Sequence, residues 1–581
     1  MTDAKNTFSL DSINTIFKLP ISYNKKVKKL NQNIITDLEL VKTVEPEEHS
    51  IYDSVFKPDN KLTNKVIEQF SEYYTTDTKY LRQTQKLIEN CSHNELNTTF
   101  TNFDLDNTVS LLEEIKTDTG FKEKYLYVDW SFAEHLNKNI FFLQLMSLYN
   151  IASPILSLCL PIIVLIIPFF VIKIKGIELT ISQYIDILKV LISGHAIFKI
   201  FTQFHDVDNS QKLYLIMSSA FYLFSIYQNI LICIRFYSNM QKIHNYVHKF
   251  KQYLAYTLDI MKYHYSISSK LTKYKQFNLE LDRNINILNN LYIELNKIDS
   301  FSLSFSKIGQ IGHIMYMFYQ LYDNEIYTNS LLYSFGFNGY FNIISHVNHN
   351  IQTNKLVRTQ LTKKPCKPVF KQLYYPKYIN INDTNTIIKN DCTNGNLIIT
   401  GPNASGKTTL LKSTLINIIF SQQFGYGCFE SLKLCPYDYI NCYLNIPDTS
   451  GRDSLFQAEA RRCKEIIDII HLEKDKTHYC IFDELYSGTN PEEAVVSAFA
   501  FMEYLIKNNN VTCILTTHYH ELCEKLSNHT NIKNYSMKTI INDDNFDYTY
   551  ILEEGISKIK GGLKVLHDMN YPREILENTK M

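Results

Sequence analysis

Polar and apolar residues recur at helical spacing through the first quarter of the chain. Asn64–Tyr74 and Tyr80–Asn90 alternate apolar and charged positions every three to four residues, which predicts helices. Asp104–Lys116 opens on an acidic turn and then repeats Val109, Leu111, Leu112 and Ile115. Glu113 and Glu114 are adjacent, so on a helix they point apart and read as solvated charges, not as a catalytic pair. Residues 1–149 therefore read as a helical, water-facing region without catalytic spacing.

The pattern then changes abruptly. Ile151–Ile172 is 22 residues without a charge, closed by Lys173 and Lys175. Leu213–Ile234 is another 22, bounded by Lys212 and Arg235. A helix of about 20 apolar residues crosses a bilayer, so 150–235 is expected to form a transmembrane helical hairpin. The alternative is a pair of helices buried in a large core. Pro154, Pro161 and Pro168 weigh against it, because proline inside a soluble helix costs about 3 kcal/mol, whereas membrane helices tolerate such positions. Ile187–Phe204 is also apolar but carries Lys189, His195 and Lys199, so it reads as an interfacial or loop-packing helix. Residues 236–370 return to charged helical sequence, a helical core or lever-like region with long amphipathic runs at Tyr246–Tyr265 and Leu279–Ile298. Lys363–Val369 reads as a linker.

From about residue 371 short apolar runs replace the long ones. Leu397–Thr400, His478–Phe482 and Val511–Thr516 predict strands separated by helices, an α/β C-terminal domain over 371–581. Composition adds little beyond this. Lys+Arg and Asp+Glu both number 59, so no global field draws the chain to nucleic acid, and a DNA contact would need a local basic face. The twelve cysteines include no C-x-x-C pair, as expected for reduced, mostly buried thiols of a cytosol-facing protein. The N-terminus lacks a basic stretch followed by an apolar core, so no cleaved signal peptide is expected.

The chemistry gathers in the α/β part. The strand at 397–400 runs into Gly401-Pro402-Asn403-Ala404-Ser405-Gly406-Lys407-Thr408-Thr409, the spacing of a phosphate-binding loop opening a helix over Leu410–Phe420. Glycine lets the loop curl until several N–H groups face one anion, and the helix N-terminus adds its partial positive charge. Lys407 is placed to reach the β- and γ-phosphates of ATP, and Thr408 to take one Mg2+ position. The strand at 478–482 ends in Asp483-Glu484, which suit the Mg2+ shell and the polarisation of an attacking water respectively. Asn490 and Pro491 predict the N-cap and first residue of the next helix, which runs to about Lys507. The strand at 511–516 runs into Thr517-His518, at the end where open α/β sheets bind ligands, and His518 is expected near the γ-phosphate. ATP supply would place this domain in the cytosol, with both chain ends on that side of an integral membrane hairpin.

GPNASGKTT, CIFDELYSGTNPEEA and ILTTHYHEL together resemble the ATPase domain of the MutS family of DNA mismatch-repair proteins, a branch of the ABC-type ATPases. The resemblance covers roughly the last third, from about Tyr375. It implies that the segment at Ile387–Asp391 packs on the nucleotide base, with Ile387 standing where the family usually has an aromatic. It further implies that Ser450–Glu459 corresponds to the family's SGRSTFMVEM segment with Asp453 inserted, so that Ser454 reaches the partner's γ-phosphate across a homodimer closed by ATP. The Phe-x-Glu mismatch wedge expected of the family's N-terminal domain has no counterpart in a plausible domain ahead of the ATPase part, and the family's C-terminal dimerisation tail is not expected beyond Glu554–Gly562. Two functions follow as expectations. One is a DNA-associated MutS-like ATPase that recognises or clamps duplex DNA. The other is a membrane-anchored mechanochemical ATPase acting on a membrane or protein partner without DNA readout.

Overall fold

The computed structural model describes residues 9–91, 104–176, 180–194, 208–302, 308–381, 386–393, 395–444, 454–542 and 545–559, with 569, 571, 572 and 575. The fold is mixed α/β with a helical N-terminal region, and the chain forms two compact units. One unit comprises Met1–Phe8, Phe103–Tyr256 and Asn286–Leu331; the other comprises Ser9–Asn102, Thr257–Ile285 and Leu332–Met581.

The first unit is helical. Leu105–Thr117 starts where expected, with the Asp104 carboxylate accepting from Asn107 N. Helix α1 spans Ile140–Ile174, and the three prolines sit inside it without interrupting it. Helix α2 runs over 60 residues, Asn209–Ser268, so the second apolar run and the amphipathic run at 246–265 form one rod. A helix at Ile181–Gly194 covers the first half of the third apolar piece; residues 195–204 lie outside the described residues. Ile311–Asp323 packs on the start of α1 at Gly312, where an added Cβ would stand 2.6 Å from the Ile140 carbonyl. The Gln144 side chain ties the contact, accepting from Gly312 N at 2.7 Å and donating to Ile308 O at 2.7 Å.

In the second unit, helices Lys61–Glu72 and Thr78–Glu89 occupy the two predicted N-terminal positions. The first ends two residues early because Tyr73–Thr75 pairs as a strand with Val27–Lys29. Both helices are capped by a side chain, Asn60 and Asp77, that satisfies N–H groups of the first turn. Of the predicted linker, 363–369, the first six residues join two strands, Gln360–Leu361 and Val369–Leu373, of one four-stranded sheet, and Val369 opens the second of these strands.

The main sheet contains β1 (Asn396–Thr400), β2 (Tyr439–Tyr443), β3 (His478–Asp483), β4 (Val511–Thr517), β5 (Ile532–Asn542) and β6 (Asn545–Glu554). Their order is β2-β3-β4-β1-β5-β6, with the first five parallel and β6 antiparallel to β5. All residues of β1 and β4 are buried, which is why these strands carry no charge and do not alternate apolar with exposed polar positions. Helices α3 (Lys407–Gln423), α4 (Leu455–Leu472) and α5 (Pro491–Ile506) complete this layer. Phe482, Leu515, Ile398, Met502 and Cys463 belong to one of its buried clusters. Register decides where chemistry collects. Thr517 pairs with Thr400 and Asp483 with Thr516, so β1, β3 and β4 end along one edge.

Candidate active site at the carboxyl edge of the sheet

The turn between β1 and α3 carries the expected loop. Gly406 caps α3 at φ 93°, a left-handed conformation in which glycine carries no Cβ penalty. A Cβ on Gly401 would stand 2.8 Å from Ser405 Oγ, so side-chain-free backbone is needed there too. Ser405 is buried and its hydroxyl has no partner, while Asn403 and Ala404 are exposed at the tip of the turn. Thr409, one residue into the helix beyond Thr408, is also exposed.

Lys407 is 5 % exposed. Its Nζ donates to Gly401 O at 3.0 Å and Pro402 O at 3.2 Å, and lies 3.8 Å from Glu484 Oε1. Burial lowers its pKa, and the carboxylates of Glu484 and then Asp483 oppose that shift. His518 Nε2 stands 2.8 Å from Glu484 Oε1 and 3.1 Å from Lys407 Nζ. The shorter contact puts the imidazole proton on Nε2 as a donor to Glu484. Lys407 then directs its hydrogens at the two loop carbonyls. The hydrogen bond from His518 is the main cause holding the Glu484 pKa below its ordinary value, with burial opposing it.

Glu484 itself is held at φ 51° while its N–H donates to Thr516 O at 3.0 Å. A non-glycine residue in this region costs about 1–3 kcal/mol and persists where surrounding structure enforces it. Asp483 Oδ2 accepts from Thr408 Oγ1 at 2.8 Å, and Oδ1 accepts from Thr516 Oγ1. Two hard oxygens, from Thr408 and Asp483, are therefore adjacent. That set fits Mg2+, which takes one or two protein ligands and completes its octahedron with phosphate and water. It would not make an all-protein cage, and no cluster of three metal-binding side chains occurs among the described residues.

A cavity of about 680 Å3 opens beside these groups, lined by Asn403, Lys407, Thr408 and Glu484 together with Tyr375, Tyr378, Ile387, Ile388 and Tyr550. Ile387 thus lines the cavity as an aliphatic wall. The structure brings Lys407, Thr408, Asp483, Glu484 and His518 together. It places Ser454 elsewhere: exposed, it is the N-cap of α4, accepting from Gln457 N at 3.3 Å while Gln457 accepts from Ser454 N at 3.0 Å. Residues 450–453, including the inserted Asp453, lie outside the described residues.

Three contributors were not singled out in the sequence. Thr516 positions Asp483, Tyr550 lines the cavity, and Glu459 is 2 % exposed and holds the turn after Glu484. Its carboxylate accepts from Ser487 N at 3.1 Å, Ser487 Oγ at 2.9 Å and Gly488 N at 3.2 Å. Only Glu459 had a local signal, as the acidic end of the segment that begins at Ser450.

Residues 397–581 match the family MutS domain V. The C-terminal third of this chain is thus similar to MutS domain V. Among similar proteins, the "DNA mismatch repair protein MutS" of Orientia tsutsugamushi (strain Boryong) is 26% identical over 201 residues, 34% of this chain and 22% of that protein. The protein of the same description from Bacteroides fragilis (strain YCH46) is 28% identical over 204 residues, 35% of this chain and 23% of its own length. The "MutS protein homolog 4" of Mus musculus is 33% identical over 189 residues, 31% and 19% of the two chains. The matched part of the chain spans about a fifth of the length of these curated relatives.

Proposed function

We propose that the protein is a MutS-type ATPase, Mg2+-dependent and DNA-associated, which works as a homodimer gated by ATP. The observation that carries the reading is the meeting of Lys407, Glu484 and His518 with the Thr408–Asp483 pair at the mouth of one glycine-bounded turn. The loop from Gly401 to Thr409 and the N-terminus of α3 would cradle the phosphates. Lys407, freed from the Gly401 and Pro402 carbonyls, would follow the β- and γ-oxygens. Thr408 and Asp483 would hold Mg2+, which when bound neutralises charge on the transferring phosphoryl group. Glu484, ionised, would orient and polarise the attacking water, with His518 steadying the carboxylate and facing the γ-phosphate. Ile387, Tyr378 and Tyr550 would supply the walls around the base. Ser454 of each chain would complete the other chain's pocket.

The name borne by the relatives supports duplex DNA as the partner. ATP hydrolysis by the detergent-purified full chain, measured with and without duplex DNA over a salt series, tests it. Stimulation whose apparent affinity falls linearly in log salt supports DNA association; unchanged hydrolysis and no binding at low salt remove it.

A second reading keeps the ATPase and replaces DNA by a membrane or protein partner, with the hairpin as an integral membrane anchor and the ATPase part in the cytosol. It is favoured by α1 and α2, two helices long and apolar enough to cross a membrane whose large apolar side chains face outward.

A further inference from the structure

In a water-facing helical pair, apolar side chains meet at the seam and polar ones face out. The pair formed by α1 and α2 instead joins through polar contacts and exposes many large apolar side chains. At the seam, Ser157 O accepts from Tyr222 Oη at 3.0 Å and Ser157 Oγ accepts from Asn229 Nδ2 at 2.8 Å. Further along, Cys233 Sγ donates to Ile151 O at 3.6 Å. As the α2 residue advances from 222 to 233 its α1 partner falls back from 157 to 151, so the helices are antiparallel. Asn150 and Ser153 on α1 are buried as well, and the Ser219 hydroxyl of α2 is buried.

The outward faces are mainly apolar, with Ser225, Tyr227 and Gln228 of α2 also exposed. Ile155, Phe221 and Leu223 are each about two-thirds exposed, at 66 %, 66 % and 65 %, and Phe224, Leu231 and Ile234 continue the surface. Only 6 % of the most apolar stretch of α2 is buried, so within a single chain it is not a core helix. Exposing such side chains to water forfeits about 25 cal/mol for each Å2 left uncovered. Lipid tails remove that cost. A run of 22 charge-free residues rises roughly 33 Å as a helix, close to the roughly 30 Å of a bilayer core. Basic residues close the first run, at Lys173 and Lys175, and stand at both ends of the second, at Lys212 and Arg235. In hydrocarbon nothing apolar drives two helices together, and polar seams take over that role.

We infer that α1 and α2 cross a lipid bilayer as an antiparallel hairpin zipped by a polar seam centred on Ser157, with Tyr222, Asn229 and Cys233 as its teeth on α2. This deepens the second reading above and stands independently of the ATPase site. The full chain is purified in detergent, reconstituted with phosphatidylcholine vesicles, floated and washed with alkaline carbonate. The wild-type chain stays with the vesicles. Leu223→Lys, harmless on a water-facing surface, lowers the inserted fraction at least tenfold, because a lysine at that depth must leave water. Asn229→Leu leaves insertion intact but raises labelling of Cys233 by a membrane-permeant maleimide several-fold, read by peptide mass spectrometry. A wild-type chain that stays soluble without detergent overturns the bilayer assignment, whether as a monomer or as a concentration-dependent oligomer burying these faces against copies of itself. Unchanged Cys233 labelling in Asn229→Leu overturns the seam alone. ATP hydrolysis on the same samples keeps the two sites apart: its loss with insertion intact leaves the hairpin standing.

Discussion

Lys407 shows how one residue ties the turn after β1 to the carboxylate that follows β3. Its ammonium is buried, and a buried charge must be compensated by acceptors, here two loop carbonyls and the nearby Glu484. A polyphosphate offers the same compensation more strongly, so Lys407→Ala is expected to weaken ATP binding at least a hundredfold; titration with a fluorescent ATP analogue measures it. Glu484→Gln should retain ATP at neutral pH and lose 10^2-fold or more in kcat, in the range about 10^2–10^4 of general-base removal, as single-turnover hydrolysis will show. The variant has a second consequence. Burial lowers the Lys407 pKa and the Glu484 carboxylate opposes the fall. Without that charge Lys407 loses its proton at a lower pH as pH rises, so ATP affinity of Glu484→Gln should fail earlier than wild type in a series from pH 7 to 10. Residue by residue, the phosphate loop, Asp483, Glu484 and His518 were legible because each sits at a strand end whose type follows from local pattern. Thr516 and Tyr550 were not, since a threonine inside a strand or a tyrosine on one carries no mark of what it will face.

Elements carry the site by stopping at the right place. Asn490 caps α5 by accepting from Glu492 N at 3.0 Å, with Pro491 at the first position, as the sequence predicts. Between β3 and α5 the chain passes through two left-handed residues, Glu484 and Tyr486, and the buried Glu459 of α4 accepts three hydrogen bonds from the turn that follows. Glu459→Ala removes three hydrogen bonds from a half-buried turn, each worth about 0.5–1.5 kcal/mol net. A destabilisation of about 2 kcal/mol or more in denaturant unfolding, with reduced kcat, is expected; a change within error would show the turn holds itself. Boundaries were less legible than existence. The helix at Lys61–Glu72 stops short of its apolar pattern because Tyr73–Thr75 finds a strand partner at Val27–Lys29, a pairing that local spacing does not encode. The apolar run at 213–234 and the amphipathic run at 246–265 are one helix, since nothing between them breaks the backbone hydrogen bonding.

For the whole molecule, Ser454 is the residue whose role depends on a second copy. Within one chain it is a helix cap, and Ser454→Ala should cost about 1 kcal/mol of stability. If it also completes the partner's pocket, Ser454→Ala and Lys407→Ala chains, each inactive alone, should regain hydrolysis when mixed. In the mixed dimer the Lys407→Ala chain lends its serine to the intact pocket of the other. No recovery over a range of protein concentrations would leave Ser454 as a cap only. The family of the C-terminal third was legible because three separated motifs stand in order within it, and the match over 397–581 bears that out.

Sequence alone determined which segments are strand, turn and helix around the phosphate loop, and which residues end them, because those choices rest on backbone freedom, capping and local apolar period. It also marked the two apolar runs, since the absence of charge over 22 residues needs no partner to be seen. Tertiary structure decided the strand order β2-β3-β4-β1-β5-β6, and with it the register that lines up Thr400, Asp483 and Thr517 on one edge. It also decided that Ser157 of α1 meets Tyr222 and Asn229 of α2. Both are contacts between residues far apart in the chain, chosen by how whole surfaces fit.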